Sequence, residues 1–268
     1  MKSLTSVRRG WLAALLTIAL CTRAQADSIR VGMYHFPPFA EVEVQGAAVT
    51  GLSGLAVDLI GLMNAFQSEF RFEPVATSPA RRVLDFEAGY FDMIMFEDFD
   101  WASWKEQPVD ASQVFLTGGE LYIAAAVEGR DQSFFADFRR RRMIGVRGYH
   151  YGFADFNADP VYLQRHFDMR LTSSGVAAIR MILAGGRGDI AVVNKSLLNR
   201  YLRDHPEVRQ KLLISTTYDQ RYAHTMLLRR GSKLDIARLD ALLDALREAG
   251  VMRPLWDSVG RGEEAASP

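Results

Sequence analysis

After Cys21 the chain has no cysteine. Within residues 27–268 that excludes disulfides, thiolate zinc sites and a cysteine nucleophile together. Stability must then come from a packed core. Metal motifs are missing as well: the five histidines, His35, His150, His166, His205 and His224, show no ligand spacing and no H-E-x-x-H. No G-x-S-x-G nucleophile elbow occurs. Gly186-Arg187-Gly188-Asp189-Ile190-Ala191 matches G-x-G-x-x-A in letters only. A helix pattern precedes it and a strand follows, the reverse of what a dinucleotide pyrophosphate needs, so the glycines read as a helix stop and a turn. No cofactor and no metal are expected. There is no Pro/Gly/Ser-rich linker and no fixed-period repeat.

What is present begins with an address. Lys2, Arg8 and Arg9 form a basic n-region, Trp11 to Leu20 a short apolar core, and Ala24-Gln25-Ala26 an A-x-A cleavage site. This is the layout of a secretory signal peptide, residues 1–26, and the apolar run is shorter than the ~20 residues that span a bilayer. Arg8-Arg9 only loosely fits a twin-arginine signal, with Val7 where Ser or Thr belongs, so ordinary export is the better fit. A periplasmic location is expected. The 32 basic and 32 acidic residues balance, but four basic ones (Lys2, Arg8, Arg9, Arg23) lie in that segment, leaving 28 basic against 32 acidic beyond it. No nucleic-acid partner is expected from that balance. The run Arg139 to Arg142 reads as a solvated loop or helix end.

The 242 residues that remain alternate strand and helix patterns. Strands are expected over 28–34, 71–76, 93–96, 121–127, 142–146 and 190–193, with extended segments over 212–215 and 225–228. Helices are expected over 55–66 (Leu55, Leu59, Leu62, Met63 and Phe66 at helical spacing), 80–88 behind Ser78-Pro79, from about Tyr149, over 176–183 and over 196–202. A final helix is expected from Ser232, with Ile236, Leu239, Leu242, Leu243 and Leu246 on one face and Gly250 as its stop. This succession argues an α/β protein with largely parallel sheets in two units, and a tail, 261–268, that is polar and flexible.

Aromatic and polar residues collect at strand ends, where open α/β sheets bind ligands. Tyr34, His35, Phe36, Pro37, Pro38 and Phe39 follow the first strand; Phe96, Glu97, Asp98, Phe99, Asp100, Trp101 and Trp104 follow the third; Arg147, Gly148, Tyr149, His150 and Tyr151 lie in the second unit. Three such clusters point to one shared cleft for a small molecule.

On these residues the chain resembles family 3 of the bacterial extracellular solute-binding proteins, which includes polar amino-acid receptors of ABC importers. The Tyr34-to-Phe39 loop is similar to the family's aromatic-Pro-Pro-Phe loop, and Gly51 to Asp58 to its glycine–apolar–Asp approach to the first helix. Phe86-Glu87-Ala88-Gly89-Tyr90-Phe91-Asp92 is similar to its Leu-x-x-Gly-x-x-Asp signature. Ile144 to Gly152 resembles the start of the second lobe and Leu183 to Val193 the Gly-Arg-x-Asp strand. The resemblance implies a two-lobed periplasmic-binding-protein fold (type II), each lobe a mostly parallel sheet flanked by helices, joined by two hinge strands. Lobe I would be 27–123 plus 223–260 and lobe II 124–222.

Two departures bear on the ligand. Trp104 stands where the amino-acid receptors of the family carry the Arg that clamps an α-carboxylate, and Asn194 where they carry the Asp that holds the α-ammonium. A standard α-amino acid therefore fits poorly. Glu97 and Asp98 beside Phe96, Trp101, Trp104, Tyr34 and Phe36 read either as a cleft for an organic cation or as a solvated acidic loop. Arg82 at a helix start and Arg147 before an expected helix N-terminus favour an anion instead. The candidate ligand-binding set is Tyr34, Phe36, Phe39, Arg82, Phe96, Glu97, Asp98, Trp101, Trp104, Arg147, Tyr149, His150, Tyr151 and Asn194. The expected function is capture of a small polar or aromatic solute by a non-enzymatic monomer that serves an inner-membrane ABC permease. A periplasmic ligand sensor and a dehydratase-like enzyme on the same fold are the alternatives.

Overall fold

The computed structural model describes residues 26–258. The expected signal peptide, apart from Ala26, and the tail 261–268 lie outside the described residues. In chain order the elements are β1 (Asp27–Met33), a hairpin of β2 (Glu41–Gln45) and β3 (Ala48–Ser53), α1 (Leu55–Phe66), β4 (Phe70–Ala76), α2 (Arg82–Glu87), β5 (Met93–Glu97), α3 (Ala102–Lys105), β6 (Val109–Ala111) and β7 (Leu116–Ala125). There follow β8 (Met143–Val146), α4 (Pro160–Phe167), β9 (Arg170–Thr172), α5 (Gly175–Ala184), β10 (Ile190–Asn194), α6 (Lys195–Asp204), β11 (Leu212–Arg229), α7 (Ile236–Glu248) and α8 (Arg253–Ser258).

The strands run in the order β4-β1-β5-β11-β7-β10-β8-β9, with β6 on the side of β11. β4, β1 and β5 are parallel, as are β10, β8 and β9. Between these sets lies an antiparallel ribbon: β11 pairs β5 through 225–228 and β7 through 212–224, and β7 pairs β10. The result is two α/β lobes joined by two long crossing strands. The inner parallel strands β5 and β8 are almost wholly apolar and buried throughout because both their faces are covered.

Each lobe has its own core. In lobe I, α1 buries Leu55, Leu59, Ile60 and Met63, and α7 buries Leu239, Leu243 and Leu246, against Val31, Met93 and Ile94 of the sheet. Each such side chain contributes about 1.5–3 kcal/mol by leaving water. In lobe II the alternation of β10 divides the core between two faces. Ala191 and Val193 pack with Ile123, Ile144, Ile179 and Leu198, while Ile190 and Val192 pack with Tyr122, Met143, Tyr151 and Phe167. No helix among the described residues is long and apolar enough to cross a membrane.

Several elements differ from the sequence expectation. No helix starts near Tyr149: the Asp219 carboxylate accepts from the amides of Gly152 (2.8 Å) and Phe153 (2.9 Å) and bends the chain into a single turn. The helix comes later, as α4, capped by Asp159 with Pro160 in its first turn. The segments expected over 212–215 and 225–228 are the two ends of one strand, β11. Helix α2 starts at Arg82, because Ser78 and Pro79 belong to a preceding turn in which the Ser78 carbonyl accepts from Arg81 and Arg82. Asp235, rather than Ser232, caps α7 by accepting from the Arg238 amide. The β2–β3 hairpin was not expected at all.

Candidate functional site

Three strand ends meet where the lobes face each other. The loop after β1 presents Tyr34 and Phe36, the segment after β5 presents Trp101, and the loop after β8 presents Gly148, Tyr149 and His150. With Arg82 from α2 and Glu120 from β7 they enclose a cavity of about 10 Å³. That is near the minimum a single water occupies. The lobes touch at several points around it. The Tyr149 hydroxyl donates to the His35 carbonyl at 2.8 Å, and Phe36 meets the Tyr149 ring edge-on at 5.6 Å. Trp101 packs on His150 at 4.6 Å and on Tyr222 of β11 at 5.6 Å. Gly148, at φ +82°, lies so close to lobe I that a Cβ there would meet the Ala80 amide nitrogen and the Pro79 Cβ at 3.0 Å. A side chain there would crowd lobe I and would be strained by the positive φ. Farther out, Arg200 pairs with Glu41 at 2.6 Å.

Behind the cavity wall, lobe I holds a buried charge network. The Arg82 Nε lies 3.1 Å from Glu97 Oε1, an ion pair whose alignment is too poor for a formed hydrogen bond. Arg82 also donates to the Pro79 carbonyl, and its guanidinium lies over the Tyr34 ring at 5.2 Å. The other oxygen, Glu97 Oε2, accepts from the Trp104 indole at 2.6 Å. Burial pushes the Glu97 carboxyl upward, and Arg82 and Trp104 oppose that shift. Phe96, which aims this carboxylate, has φ +60°. That conformation costs a non-glycine residue about 1–3 kcal/mol, and packing of the ring on Phe39 (4.9 Å), Phe115 (5.2 Å) and His224 (5.5 Å) holds it there.

The crossing ribbon carries a second polar group. Glu120 of β7 is 4% exposed, and its Oε2 has no hydrogen-bond partner. Directly opposite in the ladder is Gln220, whose amide donates to the His150 carbonyl at 2.9 Å and whose Oε1 is also unpartnered. Burial first, and the neighbouring Asp219 second, push the Glu120 carboxyl well above the usual carboxylate range. Burial and Arg82 lower the His150 imidazole to about 4, so the ring is neutral at pH 7.

Of the residues singled out in the sequence, Tyr34, Phe36, Arg82, Trp101, Tyr149 and His150 line the cavity. Glu97 and Trp104 lie behind it, fully buried, so Glu97 offers no free carboxylate and Trp104 fills the lobe I core beside Phe86. Phe39 and Phe96 are core residues of lobe I. Tyr151 is a core residue of lobe II, its hydroxyl bonded to the amide and the carbonyl of Val146. Asp98 accepts from the Ala223 amide at 2.9 Å and lines a separate recess of about 440 Å³ with Lys195 and Tyr222. Asn194 caps α6 through the Leu197 amide and donates to the Tyr222 hydroxyl. Arg147 is exposed, and no helix begins behind it to form an anion site. It lines an outer recess of about 590 Å³ next to the cavity. Glu120, Gln220 and Tyr222 were missed. The available signal was a lone carboxylate after Gly118-Gly119 at the head of an otherwise apolar strand.

No protein-family model matches the chain, and no curated protein matches it in sequence. Solved structures match well in shape. A substrate-binding protein of an ABC uptake transporter from Streptococcus pneumoniae, with bound histidine, superposes with a TM-score of 0.68 at 15% identity, over 90% of this chain and 95% of its own. A histidine kinase sensor domain with similarity to periplasmic binding proteins gives 0.67 at 17% identity, over 91% and 100%. An ancestral arginine-binding protein bound to arginine gives 0.63 at 17%, over 88% and 99%. At these identities the likeness establishes architecture, and the chain has the two-lobed α/β fold of the periplasmic binding proteins.

Proposed function

We propose that this chain is an exported solute-binding protein that captures a small polar or aromatic solute by closing two lobes on it, and that it hands the solute to an ABC permease without chemical change. The observation that carries the reading is the interlobe cavity, with aromatic walls from both lobes and buried polar atoms that lack partners. Small-molecule sites pair apolar walls with a few converging polar groups in this way. The structural neighbours are binding proteins, which supports capture rather than catalysis. The lobe limits that accompany the proposal are 27–123 with 223–260, and 124–222, so that hinge motion falls on the crossing ribbon. The protein works as a monomer in the periplasm.

A thermal-shift screen of the purified chain against amino acids, amines, small carboxylates and short peptides tests capture, because a ligand of the folded state raises the melting temperature by mass action. At least one class must raise it; a flat response across all classes contradicts the proposal. The sensor-domain neighbour favours one alternative, delivery of the bound state to a signalling receptor. Deleting the gene separates the two: loss of uptake of the solute supports transport, and intact uptake with loss of a transcriptional response supports sensing.

A further inference from the structure

The polar atoms around the interlobe cavity are unevenly matched. Two cationic or hydroxyl donors there are committed within the protein: Arg82 is ion-paired with Glu97 and donates to the Pro79 carbonyl, although its Nε forms no hydrogen bond, and Tyr149 donates to the His35 carbonyl. Apart from Arg82 Nε and Glu97 Oε1, which face each other, the unpartnered atoms beside the cavity include two acceptors, Glu120 Oε2 and Gln220 Oε1. The Gln220 amide cannot be turned round to relieve this, because its nitrogen serves the His150 carbonyl, which only accepts. Nitrogen Nε2 of the neutral His150 is unpartnered as well. A buried acceptor without a donor is costly, and a ligand that brings donors removes that cost.

We propose that the ligand is a small organic cation with N–H donors on an apolar body, a primary amine or a guanidine, and that Glu120 receives its charged head. The assignment rests on the solute-binding reading above. The geometry sets the shape of the ligand. The inner cavity has the size of a water molecule, room for an ammonium group or for one NH2 end of a guanidinium. It shares Arg82, Gly148 and His150 with the outer recess of about 590 Å³, whose other walls include Pro79, Val83, Phe156 and Pro160. The head occupies the cavity beside the Trp101 ring, a favourable site for a cation, and the body extends into the recess. The groups that face Glu120 are Asp219 and Gln220 on β11, Tyr122 on β7, Tyr149 and Tyr151 after β8, and Arg82 on α2. Of these only Arg82 is cationic, and Glu97 neutralises it. Burial disfavours the charged form of Glu120, whereas a cation paired with it favours the carboxylate, so any proton Glu120 carries in the empty cavity is released when the cation binds.

The test is calorimetric titration of the purified chain with phenethylamine, phenethyl alcohol and 3-phenylpropionate, which share a body and differ in the head. The amine should bind, with proton release seen as an enthalpy that depends on the buffer, and more tightly as pH rises from 6 to 8. The alcohol and the acid should bind at least ~30-fold more weakly, and Glu120→Gln should weaken the amine by a similar factor and abolish proton release, the scale expected on removing one member of a buried charge pair. Proton release is read on the unaltered chain, so it stands even if the variant folds poorly. Tighter binding of the acid, or an unchanged affinity in a folded Glu120→Gln chain, overturns the cation assignment. So does a solute found in the broad screen while every amine and guanidine fails. Failure of all solutes overturns the solute-binding reading itself.

Discussion

Lobe I and the crossing ribbon each bury a glutamate, and the two are buried on different terms. Glu97 has a cation at 3.1 Å and an indole donor at 2.6 Å. Glu120 has an unpartnered oxygen, a glutamine opposite and an aspartate nearby. Burying a carboxylate is tolerable where an opposite charge faces it, as Arg82 faces Glu97 even without a formed hydrogen bond, and burying a lone carboxyl is not. The first arrangement therefore belongs to the fold, fixing α2 and α3 against the end of β5. The second is left open towards the cleft, where a ligand completes it.

The largest break in this comparison should come from Glu97→Ala. It strands Arg82 in the core, and chemical denaturation should show a loss of about 3–5 kcal/mol. Next is Trp104→Phe, which keeps a ring but takes the donor from Glu97 Oε2; a loss of about 1–3 kcal/mol is expected. Glu120→Gln should behave in the opposite sense. The folded-state pKa of Glu120 is raised above the unfolded value of about 4.3. Between those two values the folded state holds more protons than the unfolded chain, so the contribution of Glu120 to stability falls as pH rises through that range. The variant should thus be at least as stable as the parent at pH 7, and a denaturation series from pH 4 to 8 should show its advantage growing with pH. The smallest effect is expected at the rim. Arg200→Ala removes a half-exposed interlobe pair and should cost at most about 1 kcal/mol, measured as a small, salt-sensitive shift in scattering towards an open form.

How much of this was legible depended on whether a residue's partner lay on the same element. Helix α1 was readable because its buried face recurs at helical spacing, and β5 and β10 because both their faces are covered. The β2–β3 hairpin was not, since it barely meets a core: only Leu52 packs against lobe I, Val44 and Val49 are 64% and 49% exposed, and no alternation marks an inside. Strand β11 looked like two strands because its middle, through Asp219 and Arg221, is polar where it crosses between lobes. The aromatic residues at the strand ends could be read as a cleft. Their sorting into wall and core could not, because it is set by contacts between segments such as Arg82 on Glu97 and Tyr149 on His35. Glu120 stayed hidden for the same reason. A single acid in an apolar strand reads as a solvent-facing position, and only the opposing lobe buries it.

The central claim is that a solute is held between the lobes. Hydrogen exchange of the purified chain, with and without the best solute from the screen, addresses it directly. The account predicts slowed exchange in three places at once: residues 98–104 of lobe I, residues 148–153 of lobe II, and residues 118–122 of the crossing ribbon. Slowing confined to one lobe, or to a surface away from these segments, would contradict it.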